Sequence, residues 1–143
     1  MICLGRIKTI SCFDINHIPI NSFSDCDIEE FKKSVERVKQ VIDEEEEILG
    51  GKYDKIIVGG HSQGACLSLD VGYGIEKMLG GVLSFSGFLF KETNVSPGKE
   101  KMNVYFAYGD ADDYILRKIF EESIENIKDY EGFKIFVYPN HTH

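Results

Sequence analysis

The sequence predicts an α/β protein built on a mostly parallel sheet with helices on both faces. Short β-branched apolar runs alternate with longer stretches whose apolar residues recur every three to four positions. The connections between successive runs are long enough for the right-handed crossovers that parallel strands need. At 143 residues and 43% hydrophobic content the chain suits one core, and no repeat or low-complexity linker divides it. Residues 1–143 therefore read as a single domain.

Each element has its own signal. Residues 6–13 alternate enough to be a strand or its remnant, and a loop containing Asn16 and Pro19 follows. From Asp27 to Leu49, the residues Ile28, Phe31, Val35, Val38, Ile42 and Leu49 paint one face of a helix, with Asp27 and Glu30 spaced as a capping box. Gly50 and Gly51 stop it, and Lys55–Val58 is a buried-strand run. Ala65, Leu67, Leu69 and Val71 open a second helix, whose later turns Gly72 and Gly74 weaken. A strand at Gly81–Phe85, a polar loop through Pro97 and Gly98, and a strand at Asn103–Tyr108 come next. Tyr114–Ile127 carries Ile115, Ile119, Phe120, Ile124 and Ile127 on one face, predicting a third helix, and the last strand is Phe133–Tyr138.

Charge and cysteine usage narrow the function. A formal charge of −8 argues against nucleic-acid backbone binding and against a polybasic membrane surface. The run Glu44–Glu47 reads as a solvated helix face. Cys3, Cys12, Cys26 and Cys66 lack zinc-site spacing and are too few for a disulfide framework, which fits reduced thiols and a cytoplasmic location. Charge at Arg6 interrupts any signal-peptide core, and no segment is apolar for long enough to insert stably in a membrane. The sequence leaves the oligomeric state open.

The chemistry sits between the strand ending at Val58 and the second helix. Gly59-Gly60-His61-Ser62-Gln63-Gly64 contains G-x-S-x-G at Gly60, Ser62 and Gly64, the nucleophile-elbow pattern. Such a turn holds its serine in strained backbone angles, and the flanking glycines let strand and helix approach. Ser62 is the candidate nucleophile. The Gln63 N–H, at a helix start, is a candidate oxyanion donor. An acid and a histidine should follow in that order. Asp110, Asp112 and Asp113 lie just beyond the strand ending at Tyr108, and His141 and His143 follow the last strand. His17 sits in an early loop, and His61 is too close along the chain to reach the Ser62 hydroxyl well. His141 and His143 form only an H-x-H pair, so no metal site is assigned.

These segments together resemble the acyl-protein thioesterase and carboxylesterase (phospholipase/carboxylesterase) family of the α/β-hydrolases. Cys12-Phe13-Asp14-Ile15 resembles the family's tryptophan-phenylalanine-aspartate segment, and Ile57 to Ala65 resembles its G-x-S-Q-G nucleophile segment. Gly80 to Leu89 is similar to the strand ending in S-G-F/Y-L, and Gly109-Asp110-Ala111-Asp112 matches the G-x-x-D of the acid. The resemblance implies Ser62 as nucleophile, Asp112 as acid and His141 as the general base, at the family's distance from the last strand. It implies hydrolysis of S-acylated proteins, lysophospholipids or short esters without a cofactor, with Leu89 and Phe90 either in an acyl channel or, more simply, in the core. Three features depart from the family. Asp113 stands where a proline is usual, Asn140 replaces a small residue, and neither an H-G-x-G loop before Phe13 nor a helix after the histidine is found. The resemblance thus implies an α/β-hydrolase domain shortened at both ends and incomplete at the N-terminal sheet edge.

Besides a structural fragment with no independent fold, two other readings stand beside it. One is a catalytically degenerate or truncated relative that binds a partner or lipid in the same cleft, which the missing loop favours and the retained serine, acid and histidine oppose. The other is a different α/β-hydrolase activity, such as a dienelactone-type or peptidase enzyme, against which the Ser62–Gln63 pair argues.

Overall fold

A computed structural model describes residues 11–143 and the backbone of residues 2–4 and 7–9. Strands β1 (Ile2–Leu4) and β2 (Ile7–Thr9) pair antiparallel; of the strand expected over 6–13, residues 7–9 form β2, residues 11–13 are not strand, and residues 6 and 10 lie outside the described residues. The main sheet comprises β3 (Ile57–His61), β4 (Gly81–Phe85), β5 (Val104–Gly109) and β6 (Phe133–Tyr138). All its neighbours are parallel and the order is β3-β4-β5-β6. The helices are α1 (Ile28–Ile48), α2 (Gln63–Gly74) and α3 (Arg117–Ser123).

Local chemistry explains where these elements begin and end. Asp27 caps α1, its carboxylate accepting the Glu30 N–H at 2.9 Å. The return half of the expected capping box is absent: the Glu30 carboxylate instead accepts the Asp14 N–H at 3.0 Å, while Asp27 N–H donates to the Asp14 carbonyl at 2.8 Å. That exchange ties the segment Cys12–Asp14 to α1. Strand β3 starts two residues later than expected because Tyr53–Lys55 tightens into a 3-10 turn. The third helix is shorter than the periodicity predicts. Its intended first turn is taken by backbone pairing with another segment: Ile20 N–H donates to Tyr114 O at 2.7 Å and Leu116 N–H to Ile20 O at 3.0 Å. Leu116 is consequently extended.

The core fills the space between the helices and one sheet face. Helix α2 lies against β3 and β4 with Ala65, Leu69 and Val71 fully buried. Gly72, unfavourable by helix propensity, is required here, because a Cβ on it would lie 2.4 Å from Val82 Cγ2. Phe120 of α3 stacks on Tyr108 with ring centroids 4.5 Å apart and meets Phe106 at 6.4 Å. Phe31 of α1 packs on Phe90 at 4.1 Å, with Phe13 edge-on at 5.3 Å from Phe31. Leu89 and Phe90 are 5% and 2% exposed, so both pack in this core. Each such buried aromatic or leucine side chain contributes roughly 1.5–3 kcal/mol.

The helices expected on both faces are found on one. Register places Val82, Phe106 and Phe133 under the helices, while Ile57, Leu83, Phe85, Phe136 and Tyr138 share the opposite face. Those five side chains are large apolar groups left exposed, Ile57 by 64%. The reason is topological. When parallel strands are added in sequential order, every right-handed crossover lands on the same side. Covering the second face needs elements on the far side of β3 or beyond β6. Among the described residues, no helix is long and apolar enough to cross a membrane.

Candidate active site

Ser62 stands between β3 and α2 with φ 55° and ψ −120°, left-handed strain that a non-glycine residue adopts only when its surroundings impose it. Its N–H donates to Phe85 O at 2.9 Å, and its carbonyl accepts Ala65 and Cys66 N–H groups at 3.0 and 3.1 Å. Of the two elbow glycines, the steric need falls on Gly60: a Cβ there would sit 2.4 Å from the Gly64 carbonyl carbon. At Gly64 nothing among the described residues lies within 4 Å of that position. Gly87 allows the next close approach, its absent Cβ clearing the Ala65 Cβ that would lie at 2.4 Å. The turn therefore points the Ser62 side chain past the carboxyl ends of β3 and β4.

Gln63 occupies the first helical position, where an N–H has no intrahelical acceptor. Its side chain works separately. Gln63 Oε1 accepts the Cys12 N–H at 3.0 Å and Nε2 donates to Phe13 O at 2.7 Å. The Ser34 hydroxyl also donates to the Cys12 carbonyl. The segment that resembles the family's aromatic-aspartate run is thus clamped against the elbow from both sides.

Asp112 lies in the loop after β5, with its side chain only 2% exposed. Burial pushes its carboxyl upward, but hydrogen bonds from the His143 ring and from the Ile115 and Tyr114 N–H groups outweigh it, leaving the carboxyl below its ordinary value. Asp112 Oδ1 accepts those backbone groups at 2.8 and 2.9 Å, which leaves Oδ2 for the histidine.

That histidine is His143. Its Nδ1 lies 2.8 Å from Asp112 Oδ2 and its Nε2 lies 2.8 Å from Ser62 Oγ. An ionised carboxylate only accepts, so the Nδ1 proton belongs to His143, and the neutral ring then offers Nε2 as acceptor to the Ser62 hydroxyl. The ring is 14% exposed, stacked on Tyr114 at 5.0 Å and 21° and close to His61 at 4.8 Å. Burial, reinforced by His143 and opposed by Asp112, holds the His61 imidazole below its ordinary value.

The expectation of His141 at this position is corrected. His141 is exposed, its Nδ1 lies 3.0 Å from Pro139 O, and its ring lies over Tyr138 at 5.7 Å. Its backbone, in contrast, is held. The Ala111 N–H donates to His141 O at 3.1 Å, and a Cβ at Gly109 would lie 2.0 Å from that oxygen. Asn140, at φ 59°, donates its N–H to Asp110 Oδ1 at 2.6 Å. Asp110 and Gly109 therefore pin the turn after β6 at Asn140 and His141, and the side chain that reaches the site comes two residues later. Asp113 is exposed, and the His143 hydrogen bond goes to Asp112 instead.

Sequence reasoning brought Ser62, Asp112 and Gln63 to one place but missed His143 and Tyr114. The signal for His143 was the H-x-H pair itself. The Gly109-Asp110 pair ahead of the acid was the signal that the intervening turn would be fixed by its backbone. Among the described residues no cluster of three or more His, Cys, Asp or Glu is suited to a metal ion.

Comparison with known proteins identifies the family. A model of the phospholipase/carboxylesterase family matches residues 6–141. The chain belongs to this family. Acyl-protein thioesterase 1 of Eremothecium gossypii is 32% identical over 116 residues, covering 79% of this chain and 49% of that protein. A probable carboxylesterase of Oryza sativa subsp. japonica is 36% identical over 111 residues, covering 74% of this chain and 41% of the relative. The chain spans about half the length of the curated relatives it matches. Among solved structures, Arabidopsis thaliana SOBER1 superposes with a TM-score of 0.77 at 24% identity, over 93% of this chain and 65% of that one. A phospholipase/carboxylesterase from Dyadobacter fermentans gives 0.71 at 24%, over 87% and 63%. At that identity the likeness speaks for the α/β-hydrolase fold alone.

Proposed function

We propose that this member of the phospholipase/carboxylesterase family is a serine hydrolase that cleaves carboxylic esters or thioesters through an acyl-enzyme. The observation that carries the reading is the unbroken relay from Ser62 Oγ through His143 to Asp112, each link 2.8 Å long. Ser62 Oγ attacks the acyl carbon while its proton passes to His143 Nε2. Asp112, ionised throughout, steadies the imidazolium. The Gln63 N–H donates to the oxyanion as the tetrahedral centre forms. Collapse expels the alcohol or thiol, which takes its proton from His143. Water then attacks the acyl-enzyme with His143 as base, and the carboxylic acid leaves as Ser62 regains its proton.

The proposed substrates are S-acylated proteins, lysophospholipids or short carboxylic esters. The relatives named acyl-protein thioesterase 1 support the thioester part of this reading, and the phospholipase/carboxylesterase family match supports the ester part. The test is intact-mass analysis after treatment with a fluorophosphonate probe, followed by a panel of p-nitrophenyl esters and acyl thioesters. A single adduct on the wild-type chain, absent from Ser62→Ala, is the expected result. An unlabelled wild-type chain that still melts cooperatively would replace this reading with a binding role for the same cleft.

A further inference from the structure

We infer that Tyr114 is a positioning residue for His143, holding the imidazole in the plane that joins Asp112 to Ser62 and covering it from solvent. The inference rests on the relay proposed above and goes beyond it, since Tyr114 touches neither the nucleophile nor the oxyanion donor. Three observations carry it. The Tyr114 ring stacks nearly parallel on His143, at 5.0 Å and 21°. Tyr114 is itself 43% exposed, so core packing does not account for the stack. Residues 140–142 are exposed, yet the His143 side chain is 14% exposed, with Tyr114 and His61 against its ring and Asp112 and Ser62 at its two nitrogens.

Tyr114 is also fixed at its backbone. Its N–H donates to Asp112 Oδ1 at 2.9 Å and its carbonyl accepts the Ile20 N–H at 2.7 Å. One residue therefore orients the acid through its main chain and the base through its side chain, and the Ile20 segment anchors both. An unstacked imidazole free to turn about χ1 and χ2 samples many ring orientations, of which only one spans both partners. The charged and titratable groups facing His143 are Asp112 and Tyr114 from the loop after β5, His61 from the end of β3, and the Ser62 hydroxyl.

The test compares wild type with Tyr114→Phe, which keeps the ring, and Tyr114→Leu, which keeps bulk but removes the π face. Two readouts are taken: fluorophosphonate labelling rate at Ser62, and solvent exchange of the His143 Nδ1 proton by NMR. Tyr114→Phe should match wild type in both. Tyr114→Leu should label about three- to tenfold more slowly, with KM for a short ester unchanged, and should exchange its Nδ1 proton faster by a similar factor. If Tyr114→Leu exchanges and labels as wild type does, the inference is overturned while the hydrolase reading stands. If wild type does not label at Ser62 but Tyr114→Leu still speeds exchange, the positioning role holds and the hydrolase reading falls. Should Tyr114→Leu not fold, Tyr114→Met carries the same comparison.

Discussion

Ser62 and His143 form two halves of one relay, yet they are delivered by different kinds of structure. The elbow is local. Strand β3, the turn and helix α2 follow one another within residues 57–74, and its tightest contact joins Gly60 to Gly64. The turn carrying His143 is held from a distance: Asn140 is fixed by Asp110 thirty residues earlier, and the His141 carbonyl lies against Gly109 and Ala111. A local device can be read from a short motif and broken by one methyl group. A long-range one depends on which backbone atoms meet across the sheet end.

The largest effect should come from the elbow. Gly60→Ala places a methyl 2.4 Å from the Gly64 backbone, a clash with main chain that no rotamer relieves, so labelling should vanish and the free energy of unfolding should fall by about 2–5 kcal/mol. Gly64→Ala, with open space at that position, should keep the fold and most of the labelling. Equal damage from both would show that the elbow is not governed by the contact described.

Asp112→Asn should come next, lowering labelling by roughly 10³- to 10⁴-fold with the melt little changed, because an amide can hold the wrong imidazole tautomer. Gly109→Ala tests the distant half. A methyl 2.0 Å from the His141 carbonyl must displace the tail, so labelling should fall by about 10²-fold while the cooperative melt survives. Asp110→Ala removes one hydrogen bond to Asn140 and should cost only about 0.5–1.5 kcal/mol of local stability, with labelling a fewfold slower.

The smallest effect is electrostatic. The Asp112 carboxyl lies lower in the folded chain than in the unfolded one, so its contribution is present above the unfolded value and is lost as pH falls through the folded value. Wild type should therefore lose more thermal stability than Asp112→Asn on acidification below about pH 4. Parallel acid limbs for the two would contradict the assignment of hydrogen bonds at Asp112.

What was legible in the sequence follows the same division. Strand β4 and β6 fall at their expected bounds, and the elbow lies where the motif puts it, because strand runs and glycine sterics are local signals. The start of α3 was not legible, since its first turn is surrendered to a backbone pairing with Ile20 that no periodicity reveals. Helices on the second sheet face could not be ruled in or out by spacing. Strand order decides the side of each crossover, and order is a long-range fact. His141 and His143 differ by two positions, and the choice between them rests on Gly109 admitting a carbonyl oxygen.

The most direct test of the account is the pair His141→Ala and His143→Ala, each measured for fluorophosphonate labelling at Ser62 and for a cooperative melt. The account predicts that His143→Ala abolishes labelling with the fold intact, while His141→Ala, which alters a solvent-facing ring and leaves its pinned backbone in place, labels within about threefold of wild type. Loss of labelling in His141→Ala with retention in His143→Ala would contradict it.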